Sequence, residues 1–111
     1  MSTPTIVTGD GWVQEITVMS GGVAYPIPSD ATVKAAIINV DHTELQSDII
    51  TVVSTDIGND WNNGIVRLRF LPSEMTSLVS GLAKVEMQVG EIAGDKATWF
   101  GPVKVVAGLI P

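Results

Sequence analysis

Two segments of the chain alternate apolar and polar residues with a period of two. In residues 65–71, Val66, Leu68 and Phe70 alternate with Arg67 and Arg69. Residues 82–89 repeat the pattern, with four apolar side chains opposite three polar ones. Successive side chains of a strand point to opposite faces, so this period marks a strand with one buried face and one wet face. A chain with this pattern is therefore built from sheets, because a helix needs apolar residues three and four apart.

Weaker forms of the pattern predict the remaining strands. They cover residues 12–19, 31–40, 49–54 and 97–106, with short edge strands at 5–8 and 23–27. Turn residues separate these runs at about the 8–12-residue spacing that is typical of a sandwich or barrel. Pro102 lies inside the last run and predicts an edge or a bulge there, because proline has no N–H to donate to a neighbouring strand. Asn63-Gly64 is a dipeptide typical of tight hairpin turns.

One segment favours a helix, residues 72–79, because Pro72 suits a helix start and Gly81 a helix end. The pattern as a whole predicts an all-β fold. We expect a single antiparallel β-sandwich, either immunoglobulin-like or jelly-roll, with one short helical turn near residues 72–79. A chain of 111 residues fits one domain, since single domains peak at roughly 100–150 residues. We therefore assign residues 1–111 to one domain.

Composition and charge exclude several classes of function. The chain has no cysteine and a single histidine, which excludes disulfides, thiol nucleophiles and multi-histidine metal sites. A net charge of −6 argues against nucleic acid, whose binding depends on Lys and Arg. No run is long and apolar enough for a membrane span or a signal peptide, so we expect synthesis in the cytoplasm. Only 16% of residues are charged, against roughly 25% in typical domains, which suggests that part of the surface meets protein.

The sequence offers weak candidates for catalysis. His42 lies in a polar turn, where it is either a general base or an ordinary exposed turn residue; no nucleophile motif accompanies it, which favours the second reading. Residues 56–64 gather Asp and Asn oxygens of the kind that calcium prefers, but tight turns demand the same residues. A pair of carboxylates could catalyse glycoside hydrolysis, but some such pair is inevitable among 12 acidic residues and does not indicate that activity. We predict no enzyme, no cofactor and no metal.

Candidate partner-binding residues lie in a loop and at the two ends of the chain. Trp61 stands between Asp60 and Asn62, where it is either an exposed binding residue or a ring folded back over the sandwich. The terminal segments 1–8 and 107–111 are apolar and almost uncharged, unlike ordinary free tails. Their apolar residues, Ile6, Val7, Leu109 and Ile110, predict docking arms, with pairing to the chain's own sheet as the alternative for the N-terminal segment.

The order of the segments resembles a family of small β-sandwiches in the structural proteins of tailed phages. The matching segments are Gly-Asp-Gly at 9–11, Pro-Ser-Asp-Ala-Thr-Val-Lys-Ala at 28–35, Asn-Gly-Ile-Val-Arg-Leu at 63–68, Leu-Pro-Ser-Glu-Met-Thr-Ser-Leu at 71–78, Gly-Leu-Ala-Lys-Val-Glu-Met-Gln-Val at 81–89 and Gly-Pro-Val-Lys-Val at 101–105. The family includes the N-terminal domain of baseplate upper proteins. The chain also looks like the capsid decoration or staple proteins of short-tailed phages.

The resemblance implies a virion structural protein. Such a protein binds the outer capsid surface and clamps neighbouring subunits of the major capsid protein, as a homodimer or a higher assembly. A phage baseplate or tail interaction module is the first alternative. A carbohydrate-binding β-sandwich that uses Trp61 and the acids of residues 56–64 is the second.

Overall fold

In the part of the chain that the structure describes, the fold consists of nine strands and two short 3-10 turns. The computed structural model describes residues 3–90 and 96–108. The strands are β1 (Thr5–Val7), β2 (Trp12–Thr17), β3 (Met19–Ser20), β4 (Val23–Ala24), β5 (Thr32–Asn39), β6 (Ile50–Val52), β7 (Ile65–Phe70), β8 (Gly81–Gly90) and β9 (Lys96–Val106). The predicted all-β fold is confirmed. Within the described ranges, no helix has the length and apolar character needed to cross a membrane.

The strands form one large sheet and two small ones. The large sheet has the order β1-β9-β8-β5-β6, β2 pairs with β7, and β3 pairs with β4. The order β6-β5-β8-β9, opposite a β2–β7 pair, follows the C′-C-F-G and B–E arrangement of immunoglobulin-like sandwiches rather than a jelly roll. One pair departs from the antiparallel prediction: β1 runs parallel to β9, with Thr5 opposite Lys104. The large sheet is therefore mixed.

The large sheet and the β2–β7 pair enclose one hydrophobic core. The inward residues of β5, β8 and β9 alternate with outward ones, as the period of two predicts. From the opposite sheet, Val66, Leu68 and Phe70 are fully buried. Trp12 stacks on Phe70 with ring centroids 5.9 Å apart. Burial of these side chains supplies the main stabilisation of the fold, at about 1.5–3 kcal/mol for each large apolar side chain.

Pro102 lies where the last strand has an open side, as its missing N–H requires. The strand is continuous, and Pro102 pairs with Lys84 of β8. The Lys104 amide donates to Pro4 on the side away from β8, and alternate residues of a strand point the same way. The Pro102 nitrogen therefore faces the side on which β1 has not yet begun. β9 is an edge strand at this point, as the sequence predicted.

The helical segment is shorter than its sequence signal. A 3-10 turn covers Pro72–Glu74 and begins at the proline, and a second one covers Trp61–Asn63. Gly64 ends the second turn in the left-handed region, with a φ of 74°. A bridge between Asp60 and Ile65 closes this tight turn. The turn does not join a hairpin, since β6 belongs to the large sheet and β7 to the β2–β7 pair.

Candidate functional site

Trp61 is a core residue, which corrects its reading as an exposed binding residue. Its side chain is 4% exposed and belongs to the main core cluster. Its indole N–H donates to Asn59 Oδ1 at 3.1 Å, and the same oxygen accepts the Arg67 amide at 2.9 Å. The polar neighbours thus turn the ring inwards by satisfying its one donor. The carbohydrate-binding alternative depended on an exposed Trp61 ring, and this ring is buried.

The N-terminal segment pairs with the chain's own sheet. Ile6 is 1% exposed and lies in the core, and Val7 is half-buried in β1. Neither residue is therefore available as a free docking arm, because both belong to a strand that packs on the chain's own sheet. At the other end, the Gly108 amide donates to Thr8 Oγ1 at 3.2 Å. Leu109 and Ile110 lie outside the described residues.

Both aspartates of residues 56–64 accept hydrogen bonds from the loop between β6 and β7. Asp56 accepts the Val53 amide at 3.0 Å, and Asp60 accepts the Asn63 side-chain N–H at 2.8 Å. Across the described ranges, no three His, Cys, Asp or Glu side chains come together in a way that could hold a metal ion. The composition of this loop is accounted for by turn formation.

The outer face of the large sheet, the side away from the core, carries an exposed apolar group. Leu82 of β8 is 71% exposed, Phe100 of β9 is 43% exposed, and Val40, which directly follows β5, is 42% exposed. The register places Glu86 beside Phe100 and Lys104 beside Leu82. The Lys84–Pro102 pair lies between Leu82 and Phe100 in the register, so the exposed apolar side chains are interspersed with polar ones. Exposed apolar side chains that share one sheet face make that face the candidate interaction surface. We call Val40, Leu82 and Phe100 together the apolar patch.

His42 covers one side of this patch. Its ring lies against Phe100, with centroids 4.6 Å apart and planes inclined at 45°. Its Nε2 lies 2.9 Å from Lys84 Nζ on β8, and a lysine ammonium can only donate. The His42 side chain therefore contacts side chains of both β8 and β9. Sequence reasoning left His42 as an exposed turn residue, and no local signal indicates a contact between residues so distant in the chain.

The side chain of Asn39 fixes the turn that carries His42. Its Oδ1 accepts the amides of Thr43 at 2.9 Å and Glu44 at 3.0 Å, and its Nδ2 donates to Thr43 Oγ1 at 2.8 Å. His42 itself has a φ of 58°, a conformation that is uncommon outside glycine and in which histidine is enriched. The ring is thus held over the sheet by local hydrogen bonds.

The segment after this turn extends the same face beyond β5. Leu45 bridges Ile38 in antiparallel register, so both side chains point outwards. Ala36 and Ile38 are nonetheless buried. A shallow groove of about 250 Å³ runs beside Ala36, with Leu45 and Ile49 on one side and Gln88 on the other. The outer face therefore combines the apolar patch with an adjoining groove.

A second cleft lies between β6 and β7. It has a volume of about 470 Å³, and Asp56, Glu74, Arg67 and Arg69 are among the residues that line it. Its carboxylates accept backbone amides, Asp56 from Val53 at 3.0 Å and Glu74 from Leu71 at 2.8 Å. Arg67 donates to the Ile57 carbonyl at 3.2 Å. Most of its charged groups thus hold loops in place, which favours the outer face as the functional surface.

Comparison with known proteins finds no family model, no curated relative and no solved structure that matches the chain.

Proposed function

We propose that this chain is a virion structural protein that docks onto the outer surface of the capsid and clamps neighbouring subunits of the major capsid protein. The observation that carries the proposal is the apolar patch of Val40, Leu82 and Phe100 on an otherwise regular sheet face. Removing such apolar side chains from water is the dominant favourable term in most protein–protein association. A binding role of this kind needs no catalysis.

The order of segments supports the choice of partner, since it resembles the small sandwiches of tailed-phage structural proteins. A protein that occupies many equivalent positions on a lattice needs little energy at each contact, because several weak contacts add up. A single small face is then sufficient. The baseplate or tail module is the same proposal with another partner, and the test below separates the two.

The experiment is co-sedimentation with purified capsids and, separately, with purified tails of the phage whose genome encodes this chain. We expect the wild-type chain to sediment with capsids. The double variant Leu82→Ser/Phe100→Ser is expected to bind at least about tenfold more weakly, since hot-spot side chains contribute 2 kcal/mol or more each. Both side chains point away from the core, so the variant is expected to fold, which circular dichroism checks.

Val23→Ser is the matched control. Val23 is 67% exposed and lies on β4 in the separate β3–β4 sheet, so its loss of apolar surface occurs elsewhere. The control is expected to bind as the wild type does. If the wild type binds to tails alone, the partner is the tail and not the capsid. Binding to neither particle, or equal binding by all three proteins, would overturn the proposal.

A further inference from the structure

We infer that the partner of the outer face is an acidic protein surface and not a second copy of this chain. The inference rests on the proposed docking function and adds the chemistry of the partner. It is carried by the distribution of charge over the sheet. The chain has a net charge of −6, yet all four lysines of the described residues lie on this one face.

All four lysines of the described residues point to the outer face. Their positions are given by the register: Lys34 lies opposite Gln88, Lys84 opposite Pro102, Lys104 opposite Leu82, and Lys96 opposite Gly90. Each lysine lies at an outward position of its strand, next to inward residues that are buried. Lys96 is the exception, because its neighbours at the start of β9 are exposed. The lysines therefore lie on three neighbouring strands of the outer face, with Lys84 and Lys104 beside the apolar patch, Lys34 beside the groove and Lys96 at the far end of the sheet.

Acidic residues are few on the strands that form the same face. Glu86 is the single acid on the strands of the large sheet within the described residues, and its Oε2 accepts a hydrogen bond from Gln88 at 3.0 Å. Asp41 and Glu44 flank His42 in the turn at the border of the face. In the described ranges, none of the four ammonium groups pairs with a carboxylate; Lys84 contacts His42 instead.

This arrangement specifies the partner by charge complementarity. Lysine stems cover apolar surface while their ammonium groups stay in water, so the rim remains charged when the apolar centre is buried. A partner with carboxylates around an apolar centre is attracted and oriented by such a rim. The attraction must be local, because the chain as a whole repels an acidic body and charges more than about 8 Å apart are screened at physiological salt.

The same charges argue against two other occupants. A symmetric dimer through this face would bring together two faces that each carry four lysines, and every lysine placed against a lysine of the other copy would be unfavourable. Duplex nucleic acid is repelled by the net charge of −6, and four lysines replace few counterions. An acidic protein surface satisfies both the apolar patch and its basic rim.

The test compares two substitutions that change the net charge equally. Lys104→Glu places a negative charge beside Leu82, whereas Arg69→Glu places it on β7 in the other sheet; both side chains are exposed. In the capsid co-sedimentation assay at low salt, we expect Lys104→Glu to weaken binding at least about tenfold and Arg69→Glu less than about twofold. Lys104→Gln is expected to fall between Lys104→Glu and the wild type. Wild-type binding is expected to decrease as the salt concentration rises.

The outcomes separate this inference from the proposed function. If Leu82→Ser/Phe100→Ser abolishes binding while Lys104→Glu and salt have no effect, the acidic partner is wrong and the docking role stands. If the wild type binds neither particle, the docking role fails first. Sedimentation velocity of the free protein checks the dimer: a dimer that Leu82→Ser/Phe100→Ser dissociates would overturn the inference, as would lysine-dependent binding to duplex DNA.

Discussion

The imidazole ring of His42 lies against the phenyl ring of Phe100, with ring centroids 4.6 Å apart. β8 lies between β5, which the His42 turn follows, and β9, which carries Phe100, so the two side chains meet across β8. This contact makes one wall of the apolar patch. The shape of the proposed docking surface thus depends on a polar turn as well as on the sheet beneath it.

Asn39→Ala is expected to release this turn. The substitution removes the one oxygen that accepts two backbone amides and the one side-chain donor to Thr43, at a half-exposed position, so we expect a loss of about 1–2 kcal/mol in the free energy of unfolding. Urea unfolding measures the loss, and the proton shifts of the His42 ring report its distance from Phe100. Asn62→Ala, at an exposed position, is the control. Unchanged His42 shifts in Asn39→Ala would show that the turn is held by other contacts.

Phe70→Ala and Phe100→Ala are expected to separate core from surface. Phe70 is fully buried and stacks on Trp12, so its truncation is expected to cost about 3–5 kcal/mol through lost burial and a residual cavity. Phe100 is 43% exposed, so Phe100→Ala is expected to lower the free energy of unfolding by less than half as much as Phe70→Ala. Thermal unfolding of the two variants gives the comparison. Equal losses would mean that Phe100 supports the fold rather than a partner.

Gly64→Ala is expected to be more damaging than Gly21→Ala. Both glycines have positive φ, 74° and 60°, which costs about 1–2 kcal/mol for alanine. At Gly64 the added Cβ would also lie 2.7 Å from the Val18 carbonyl oxygen and 2.9 Å from that of Tyr25, whereas at Gly21 nothing lies within 4 Å. We expect Gly64→Ala to lose at least about 2 kcal/mol more, since overpacking against backbone adds about 1–3 kcal/mol. Chemical denaturation measures both, and similar losses would contradict the close approach.

Asn59→Ala is expected to loosen Trp61. The substitution leaves the indole N–H and the Arg67 amide without their shared acceptor, at a cost of about 2–4 kcal/mol. The red shift of tryptophan emission on exposure reports the ring directly. Asn63→Ala, which removes one exposed hydrogen bond to Asp60, is the control and is expected to lose under about 1 kcal/mol. An unshifted emission spectrum and an unchanged stability in Asn59→Ala would contradict the role of Asn59.

Ile6→Ala is expected to show that β1 is a core element. Ile6 is 1% exposed, so its truncation is expected to cost about 2–5 kcal/mol, whereas Thr5→Ala at the exposed neighbouring position should be nearly neutral. Urea unfolding of both variants measures the difference. If Ile6→Ala is as stable as the wild type, the segment is free to act as a docking arm after all.

The strands were predictable because the period of two is a local signal. The alternation of residues 65–71 and 82–89 lies in β7 and β8 as predicted, and Pro102 marked an edge through a property of its own backbone. The candidate site was less predictable. Of the proposed partner-binding residues, Trp61 and Ile6 are buried, since an apolar side chain in a polar or terminal segment looks the same whether it meets the core or a partner.

The sequence by itself determined that the chain forms strands, which faces of those strands are apolar, and that its lysines share the parity of the outward positions. The tertiary structure decided what those faces meet. Only the pairing of β5, β8 and β9 brings Lys34, Lys84 and Lys104 onto one surface, and only the turn after β5 places His42 on Phe100. The physical reason is range: alternation acts between neighbouring residues, whereas burial and charge complementarity depend on contacts between residues distant in the chain.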